Sequence, residues 1–351
     1  MEQAMSNSKK IPITVLCGFL GSGKTTLLNH LLSKSSGLRI AVIVNEFGAV
    51  NIDAGLVVQT HEKMIELSNG CICCTLRGDL LIAVDELLNT YDLDAIFIES
   101  TGIGEPLPIA QAFCLEPEML ELEPEIPNLI DRVYVDALIT VVDSAQFFDL
   151  WNRRSTIDGD DQGRGYGELL SEQIEFANII LLNKTDLVDE TELKKLSAFI
   201  AKLNPKAMIE HTIQGVLSID NFFNKQLFKI DDFNNQQAWF DELNKEHMPE
   251  SEAYGLSTYI LKPNAPFDEN RLWESLQRGL PPNILRSKGW VAFHDNPLAY
   301  VWNHSGRLMT LDPVGYWTEG QEPASQIVFI GEHLDPLAIE AFLAPALQEP
   351  Q

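Results

Sequence analysis

Short apolar runs alternate with amphipathic stretches along the first half of the chain, from residue 11 onward. The runs are nearly continuous, which is typical of strands buried on both faces of a parallel sheet. We predict strands at residues 11–17, 39–45, 94–99, 137–142 and 179–183. Between the first two, residues 25–33 place four leucines on one face of a predicted helix. The pattern predicts an α/β fold with a mainly parallel, doubly wound sheet.

The pattern changes in the last third of the chain. Residues 220–253 are polar and acidic and predict a connector that carries some helix. Beyond it we predict a strand at 255–261, a helix at 269–280, three strands around Trp290, Val301 and Leu311, a strand at 327–330 and a helix at 336–347. This order favours a smaller α+β domain. We therefore predict a flexible N-terminus at 1–10, a main domain at 11–218, a connector at 219–253 and a C-terminal domain at 254–347.

Composition narrows the possible partners and the compartment. The 351 residues carry 51 acidic and 25 basic side chains, a formal net charge of −26, which disfavours nucleic acid and anionic membranes as partners. Lys9 and Lys10 precede an apolar run that resembles a signal peptide, but the run has no small-residue cleavage site. No apolar stretch approaches about 18 residues, so we expect no membrane span. These features favour a cytoplasmic protein.

A phosphate-binding motif follows the first predicted strand. Residues 18–25 read Gly-Phe-Leu-Gly-Ser-Gly-Lys-Thr and match G-x-x-x-x-G-K-S/T between a strand and a helix. Such a loop turns its N–H groups inward, and the helix N-terminus adds a positive dipole. Lys24 would reach the β- and γ-phosphates, and Thr25 would hold Mg²⁺. The alternative is a glycine-rich strand-to-helix turn with a chance lysine.

Two further motifs complete the predicted nucleotide site. Glu99 ends an apolar strand and would meet Mg²⁺ directly or through water, while Gly102 would let the backbone approach the γ-phosphate. Asn183-Lys-Thr-Asp186 follows another strand and resembles the guanine-recognition motif of GTPases. Asp186 would accept from the two parallel N–H donors that guanine has and adenine lacks. The sequence thus predicts a site for Mg²⁺ and GTP, although an ordinary strand-to-helix turn is the alternative at residues 183–186.

Three of the five cysteines lie within four positions, at Cys71, Cys73 and Cys74. Neighbouring thiolates suit Zn²⁺ or another soft to borderline ion, with a fourth ligand from water, a histidine or Glu46. A Cys71–Cys74 redox pair and buried apolar thiols are the alternatives. Glu46 directly follows the second predicted strand and would face the ligand edge of the sheet, or serve only as a cap or surface carboxylate. Asp53 is a weaker candidate, and the isolated Cys17 and Cys114 read as core residues.

The order of these motifs resembles that of the CobW-like GTPases, relatives of the UreG and HypB metallochaperones in the SIMIBI class of P-loop proteins. The motifs are the P-loop at 18–25, Asn45-Glu-Phe-Gly48, Gly70-Cys-Ile-Cys-Cys74, Glu99-Ser-Thr-Gly102 and Asn183-Lys-Thr-Asp186. Residues 285–290 and 328–331 are similar to the C-terminal domain of that family. The resemblance therefore extends over nearly the whole chain.

The resemblance implies a GTPase, converting GTP and water to GDP and phosphate, that loads Zn²⁺, or in some branches Co²⁺, into metal-dependent client proteins. The nucleotide contacts it implies come from Gly18, Gly21, Ser22, Gly23, Lys24, Thr25, Thr26, Gly102, Asn183, Lys184 and Asp186. The groups assigned to hydrolysis are Lys24, Thr25 and Glu99, with Thr25 and Glu99 on magnesium. The transferred ion is assigned to Cys71, Cys73, Cys74 and Glu46.

The resemblance also suggests a homodimer, because relatives often pair across the nucleotide face. Many members carry a histidine-rich stretch before the C-terminal domain, whereas residues 244–254 contain only His247. Ile103 and not glutamine follows Gly102, so the residue that orients the hydrolytic water is not assigned, and slow intrinsic turnover is expected. We expect Mg²⁺-GTP to order the segment of Glu46 and the cysteines, and hydrolysis to loosen it.

Two other functions fit parts of this pattern. One is a guanine-nucleotide switch whose C-terminal domain binds a partner without any metal transfer. The other is a P-loop kinase for a small substrate. A switch would show no preference for Zn²⁺ or Co²⁺, and a kinase would phosphorylate an acceptor.

Overall fold

The computed structural model describes residues 10–35, 37–45, 63–67, 75–157, 163–231, 255–294, 296–317 and 323–347. The chain forms two compact units, each made of several segments. The first unit comprises Met1–Phe147, Glu172–Leu193 and Leu203–Ala238. The second unit comprises Phe148–Ser171, Lys194–Lys202 and Trp239–Gln351.

The first unit is built on a parallel sheet of seven strands in the described residues. The strands are β1 (Ile11–Cys17), β2 (Ile40–Asn45), β3 (Lys63–Leu67), β4 (Ala95–Glu99), β5 (Val133–Asp143), β6 (Ile179–Asn183) and β7 (Met208–His211). They lie in the order β3-β2-β4-β1-β5-β6-β7, and every neighbouring pair is parallel. All their carboxyl ends therefore meet at one edge of the sheet, which is where α/β sheets bind ligands.

Helices follow these strands along the chain. They are α1 (Lys24–Lys34), α2 (Thr75–Thr90), α3 (Pro106–Ala112), α4 (Phe147–Trp151), α5 (Tyr166–Glu175) and α6 (Glu190–Leu203). On β1, Ile13 and Val15 belong to one apolar cluster with residues of α2 and α3, and Leu16 belongs to another with the leucines of α1. The sheet is thus buried on both faces, which confirms the predicted doubly wound fold.

The predicted elements differ from the observed ones mainly at their ends. Strand β5 is longer than predicted and reaches from Val133 to Asp143. Strands β3 and β7 were not predicted, since both are short strands at the edges of the sheet.

The second unit contains an antiparallel sheet of five strands in the described residues. Its elements are β8 (Leu256–Leu261), α7 (Glu269–Gln277), β9 (Ile284–Ala292), β10 (Leu298–Ser305), β11 (Leu308–Tyr316), β12 (Gln326–Glu332) and α8 (Pro336–Leu343). The strand order is β11-β10-β9-β12-β8, and α7 and α8 contribute to the core on the sheet. This confirms the predicted α+β arrangement.

Two helices of the second unit end earlier than the sequence suggests. Helix α7 stops at Gln277 because Gly279, with φ of 78°, turns the chain out of the helix. Helix α8 stops at Leu343, and a 3₁₀ turn at Ala344–Leu347 follows, where Pro345 lacks the N–H of a further helical turn. Within the described part of the chain, no helix is both long and apolar enough to cross a membrane.

Candidate nucleotide site

The P-loop lies between β1 and α1 and depends on its glycines. Gly18, Gly21 and Gly23 have φ of 137°, 73° and 108°, a region that side-chain-bearing residues rarely adopt. A Cβ on Gly18 would lie 2.2 Å from the carbonyl oxygen of Val141, and one on Gly23 would lie 2.4 Å from Nδ2 of Asn183. The loop therefore has room only for glycine at these two positions. Its backbone is held in the wrapped form that a phosphate cradle requires.

Lys24 is buried at the start of α1 and folds back on this loop. Its Nζ donates to the carbonyl oxygens of Gly18 at 2.9 Å and Phe19 at 3.2 Å. The ammonium group is thus held at the loop that would receive the phosphates. Its positive charge and that of the helix N-terminus favour an anion at the same place.

Thr25 and Glu99 come together across the site, although 74 positions separate them in the sequence. The hydroxyl of Thr25 donates to Oε1 of Glu99 at 2.8 Å, and Glu99 is only 5% exposed. A hydroxyl and a carboxylate oxygen at this distance are ligands that Mg²⁺ prefers. The predicted pair of magnesium-binding residues is therefore brought together by the fold.

Gly102 lies directly against the P-loop. A Cβ on Gly102 would lie 2.4 Å from the side chain of Leu20 and 2.7 Å from its backbone nitrogen. The segment reaches this place because the N–H of Ser100 donates to Leu16 at 2.9 Å and extends the pairing of β4 with β1. A bulkier residue at position 102 would push this segment away from the P-loop.

Asn183 ties three segments of the site together. Its Nδ2 donates to the carbonyl oxygen of Ser22 at 2.8 Å, and its Oδ1 accepts from the N–H of Gly215 at 3.0 Å. Asn183 is 2% exposed, so both bonds are shielded from water. The amide thus fixes the P-loop against the end of β6 before it contacts any ligand.

The rest of the predicted guanine motif is half-buried or exposed. Lys184 has φ of 60°, and its Nζ donates to the buried carboxylate of Asp143 at 2.6 Å. Asp143 also accepts from the N–H groups of Ala145 and Gln146, so its position is fixed by the backbone. Asp186 is exposed on the 3₁₀ turn that follows. The motif therefore presents one carboxylate to the solvent and holds its lysine in place.

A loop after β7 completes this side of the site, and sequence reasoning did not find it. The carbonyl oxygen of Thr212 accepts from the hydroxyl of Thr185 at 3.1 Å, and its own hydroxyl accepts from the N–H of Val216 at 2.8 Å. Gln214 and Gly215 both have positive φ, which bends the loop toward Asn183. The available signal was weak: a short strand followed by Gln-Gly at the ligand edge of the sheet.

The two isolated cysteines pack in or against the core of the first unit, although the Sγ of Cys17 also accepts from the hydroxyl of Ser100 at 3.2 Å. Cys17 is fully buried, and burial raises the pKa of its thiol to about 12. Cys114 packs at the margin of the core, and burial raises its pKa to about 11. Both thiols stay protonated near neutral pH and are poor metal ligands.

The candidate metal ligands lie outside the described residues. These are Glu46, Cys71, Cys73 and Cys74, and the weaker candidate Asp53 and His247 also lie outside them. Strand β2 ends at Asn45, one residue before Glu46, and α2 begins at Thr75, one residue after Cys74. The chain thus enters and leaves this segment at described elements of the first unit.

The parallel sheet, the P-loop and the Asn-Lys-Thr-Asp turn at its carboxyl edge define a P-loop nucleoside triphosphatase. Comparison with known families agrees. Residues 12–210 match the family described as CobW/HypB/UreG, nucleotide-binding domain, and residues 256–347 match the cobalamin synthesis protein cobW C-terminal domain.

Individual relatives match over most of their length. The chain is 37% identical over 337 residues to zinc-regulated GTPase metalloprotein activator 1 of Dictyostelium discoideum, covering 90% of this chain and 70% of the relative. It is 30% identical over 342 residues to zinc chaperone YjiA of Escherichia coli, covering 95% and 98%. The crystal structure of Zn(II)-bound YjiA GTPase from E. coli matches with 26% identity and a TM-score of 0.45, covering 97% of this chain and 100% of that chain.

These matches show that the chain belongs to the CobW/HypB/UreG family. They confirm the resemblance seen in the motifs and the prediction of a P-loop GTPase.

Proposed function

We propose that the protein is a zinc metallochaperone that couples GTP hydrolysis to delivery of Zn²⁺ to client proteins. Relatives that cover most of the chain carry the names zinc chaperone and zinc-regulated GTPase metalloprotein activator. The observation that carries the proposal is where the described elements on either side of the cysteines end. Strand β3 ends at Leu67, at the carboxyl edge of the sheet where the P-loop lies, and α2 begins at Thr75, so residues 68–74 join these two points along the chain.

The register of the sheet supports a link between the two sites. Val44 on β2 pairs with Glu99 on β4, so the chain leaves β2 level with the carboxylate that contacts Thr25. Leu67 at the end of β3 pairs with Asn45 at the end of β2. Segments that follow both strands therefore start at the same edge as the phosphate loop. Glu46 is the second residue after Val44, and this closeness in sequence makes it a suitable contact for both sites.

The phosphate side of the proposed site fits GTP with magnesium. The P-loop already has its cradle form, and Lys24 lies at the carbonyl oxygens of the loop with its charge available to phosphate oxygens. Thr25 and Glu99 are the residues that would hold Mg²⁺, through a hydroxyl and a carboxylate oxygen. A bound Mg²⁺ would supply positive charge between the β- and γ-phosphates.

The base side of the site fits guanine. Asp186 is exposed and acceptor-only, which matches the two parallel N–H donors of guanine. The exposed apolar side chains of Leu187, Ile213 and Val216 lie on the two segments that Thr185 and Thr212 join. Apolar groups there can cover a planar base, and the held stem of Lys184 adds to them. Adenine would leave the carboxylate of Asp186 without donors.

For coupling, GTP has to favour one arrangement of the segment with Glu46 and the cysteines over another. Converting a site from 1:99 to 99:1 requires about 5.5 kcal/mol of differential binding, which contacts to a third phosphate can supply. Gly102 lies against the P-loop, and this closeness supports a role for it in detecting that phosphate. Loss of the phosphate would then release the segment and lower the affinity for Zn²⁺.

The test is a measurement of Zn²⁺ affinity by competition with a chromophoric chelator, with the protein loaded with a nonhydrolysable GTP analogue or with GDP. We expect binding at least about tenfold tighter with the GTP analogue. Changing Cys73 and Cys74 together to serine should remove tight Zn²⁺ binding and leave nucleotide affinity unchanged. Cys114→Ser is the matched control, because this thiol lies in the core margin and should leave both affinities as they are.

Each part of the proposal can be refuted by a separate result. Equal Zn²⁺ affinities in the two nucleotide states would refute the coupling. Stoichiometric Zn²⁺ in the double cysteine variant would refute the ligand assignment. A protein that hydrolyses GTP but prefers neither Zn²⁺ nor Co²⁺ would instead be a nucleotide switch without metal transfer. Repeating the competition with Co²⁺ decides which ion is the cargo.

A further inference from the structure

A buried glutamine of the first unit holds the segment that follows Glu99. Gln173 lies on α5 and is 1% exposed. Its Nε2 donates to the carbonyl oxygen of Gly102 at 3.3 Å and to that of Gly104 at 3.0 Å. One side chain thus supplies donors to two carbonyl groups of the loop between β4 and α3.

The orientation of this amide follows from its neighbours. Both groups in front of it are acceptors, so the nitrogen of the amide must face them, because its oxygen would be repelled. The oxygen Oε1 is then buried without a hydrogen-bond partner among the described residues. Leaving a buried acceptor unpaired is a cost to the stability of the fold. A leucine or methionine would avoid this cost, so the two bonds to the loop are what the glutamine contributes.

The glutamine itself is rigidly placed. The hydroxyl of Thr140 on β5 donates to the backbone carbonyl oxygen of Gln173 at 2.5 Å. Thr140 is 1% exposed and stands in the middle of the sheet, beside β1. Gln173 is therefore fixed to β5, the strand that pairs with the P-loop strand β1.

The loop is held from two sides. On one side Gly102 contacts Leu20 of the P-loop, with no space for a Cβ between them. On the other side Gln173 holds the carbonyl groups, and the N–H of Gly104 closes a turn onto Thr101 at 3.0 Å. These contacts keep the loop next to the phosphate site. A loop held in place by the protein leaves less ordering for the ligand to impose.

We propose that Gln173 is a positioning residue of this GTPase, whose amide holds residues 101–105 in the arrangement that receives the third phosphate of GTP. It acts through the backbone of the loop and does not contact the nucleotide. The inference rests on the proposed nucleotide site and is independent of the metal.

The test compares Gln173→Met with wild type. Methionine keeps the length and helix propensity of the side chain and removes both donors. The loop then has to be ordered by the ligand, so affinity for a nonhydrolysable GTP analogue should fall about tenfold. Affinity for GDP should stay within about twofold, because GDP lacks the phosphate that the loop receives. The turnover number for GTP should fall together with the affinity for the analogue.

Asn204→Leu is the matched control for a general loss of stability. Asn204 is another buried amide of the first unit, 6% exposed, whose Nδ2 donates to the carbonyl oxygens of Ile174, Glu175 and Ala177. None of these groups belongs to the nucleotide loop. The change should lower the unfolding temperature and leave the ratio of GTP-analogue to GDP affinity unchanged.

Several outcomes would overturn the inference. An unchanged affinity ratio in Gln173→Met, or the same change of ratio in Asn204→Leu, would show that the glutamine has only a structural role. If Gln173→Met does not fold, Gln173→Asn applies the same test, since its amide is one methylene shorter and falls out of reach of the loop. Failure of wild type to prefer guanine nucleotides would count against the proposed function itself, before any variant is compared.

Discussion

We predict that His304 makes the stability of the second unit depend on pH. It lies on β10, is 5% exposed, and its Nδ1 has no hydrogen-bond partner among the described residues. The pKa of His304 is lowered from 6.5 to about 3, mainly by burial and next by the positive charge of Arg286. Arg286 lies on the neighbouring strand β9 and donates to the carbonyl oxygen of His304 at 3.0 Å. Protonation in the folded protein would place a second positive charge in this buried place.

The sign and size of the effect follow from linkage. Because the pKa in the folded state lies below that in the unfolded state, neutral His304 stabilises the unit fully above pH 6.5. That stabilisation is lost progressively as the pH falls from 6.5 toward about 3. Each pH unit within this window costs about 1.4 kcal/mol. Lowering the pH from about 8 to about 5 should therefore reduce the free energy of unfolding by about 2 kcal/mol.

Tryptophan fluorescence measures this unit separately from the other. All six tryptophans of the chain fall within the second unit, at Trp151, Trp239, Trp273, Trp290, Trp302 and Trp317. Urea unfolding followed by fluorescence at both pH values should show a midpoint shift of about 1 M for wild type, taking a slope of about 2 kcal/mol per M.

The variant His304→Gln removes the titrating group and keeps a polar side chain. It should be less stable than wild type at pH 8, but its loss between about pH 8 and about pH 5 should be smaller by about 2 kcal/mol. Other titrating groups contribute to both proteins alike and cancel in the comparison. Equal pH dependence in the two proteins, within about 0.5 kcal/mol, would refute the assignment of the buried neutral imidazole.

Two further predictions concern the nucleotide site. Gly23→Ala should abolish measurable binding of a fluorescent GDP analogue, because the new Cβ would lie 2.4 Å from Asn183. The control is Gly37→Ala, where φ is also positive but no atom lies within 4 Å of the new Cβ. This control variant should bind the analogue normally and lose only stability. Normal binding by the first variant would contradict the cradle geometry. Asp143→Asn should weaken GDP and a GTP analogue equally, by about 1 kcal/mol, because it loses the ion pair with Lys184 at 2.6 Å on the base side. A loss confined to the GTP analogue, measured by titration calorimetry, would show that Asp143 acts on the phosphates instead.

The strands that carry the site could be predicted because they are buried on both faces. The segment of β6 reads Ile-Ile-Leu-Leu-Asn, and every residue of it is buried, so its pattern is unambiguous. Strand β7 reads Met-Ile-Glu-His and is only partly buried, because it forms an edge of the sheet. A half-exposed strand of four residues cannot be told from a loop by its polarity. Whether a strand lies at the edge or in the middle of the sheet is decided by pairing between distant parts of the chain. Edge strands such as β7 are therefore hard to predict from the sequence.

The same limit applies to the site. The P-loop and the Asn-Lys-Thr-Asp turn could be predicted because each is a local motif whose chemistry lies within eight residues or fewer. The bonds of Gln173 to Gly102 and Gly104 span 71 and 69 positions, and the bond of Asn183 to Ser22 spans 161. A glutamine in an amphipathic helix reads as a surface residue unless the fold is known. The sequence therefore predicted the side chains that would touch the ligand, but it did not predict the side chains that hold the loops.

The arrangement of these supporting residues separates the two halves of the nucleotide site. The base side is held by Asn183, whose bonds fix the P-loop and the loop after β7 without contacting the segment at Gly102. The side that we propose to sense the third phosphate is held by Gln173 and by the contact of Gly102 with Leu20. Changes on the base side should therefore affect GTP and GDP alike, and changes on the sensing side should affect GTP alone. A metal segment that responds to hydrolysis must be coupled to the second group, since only that group differs between the two nucleotides.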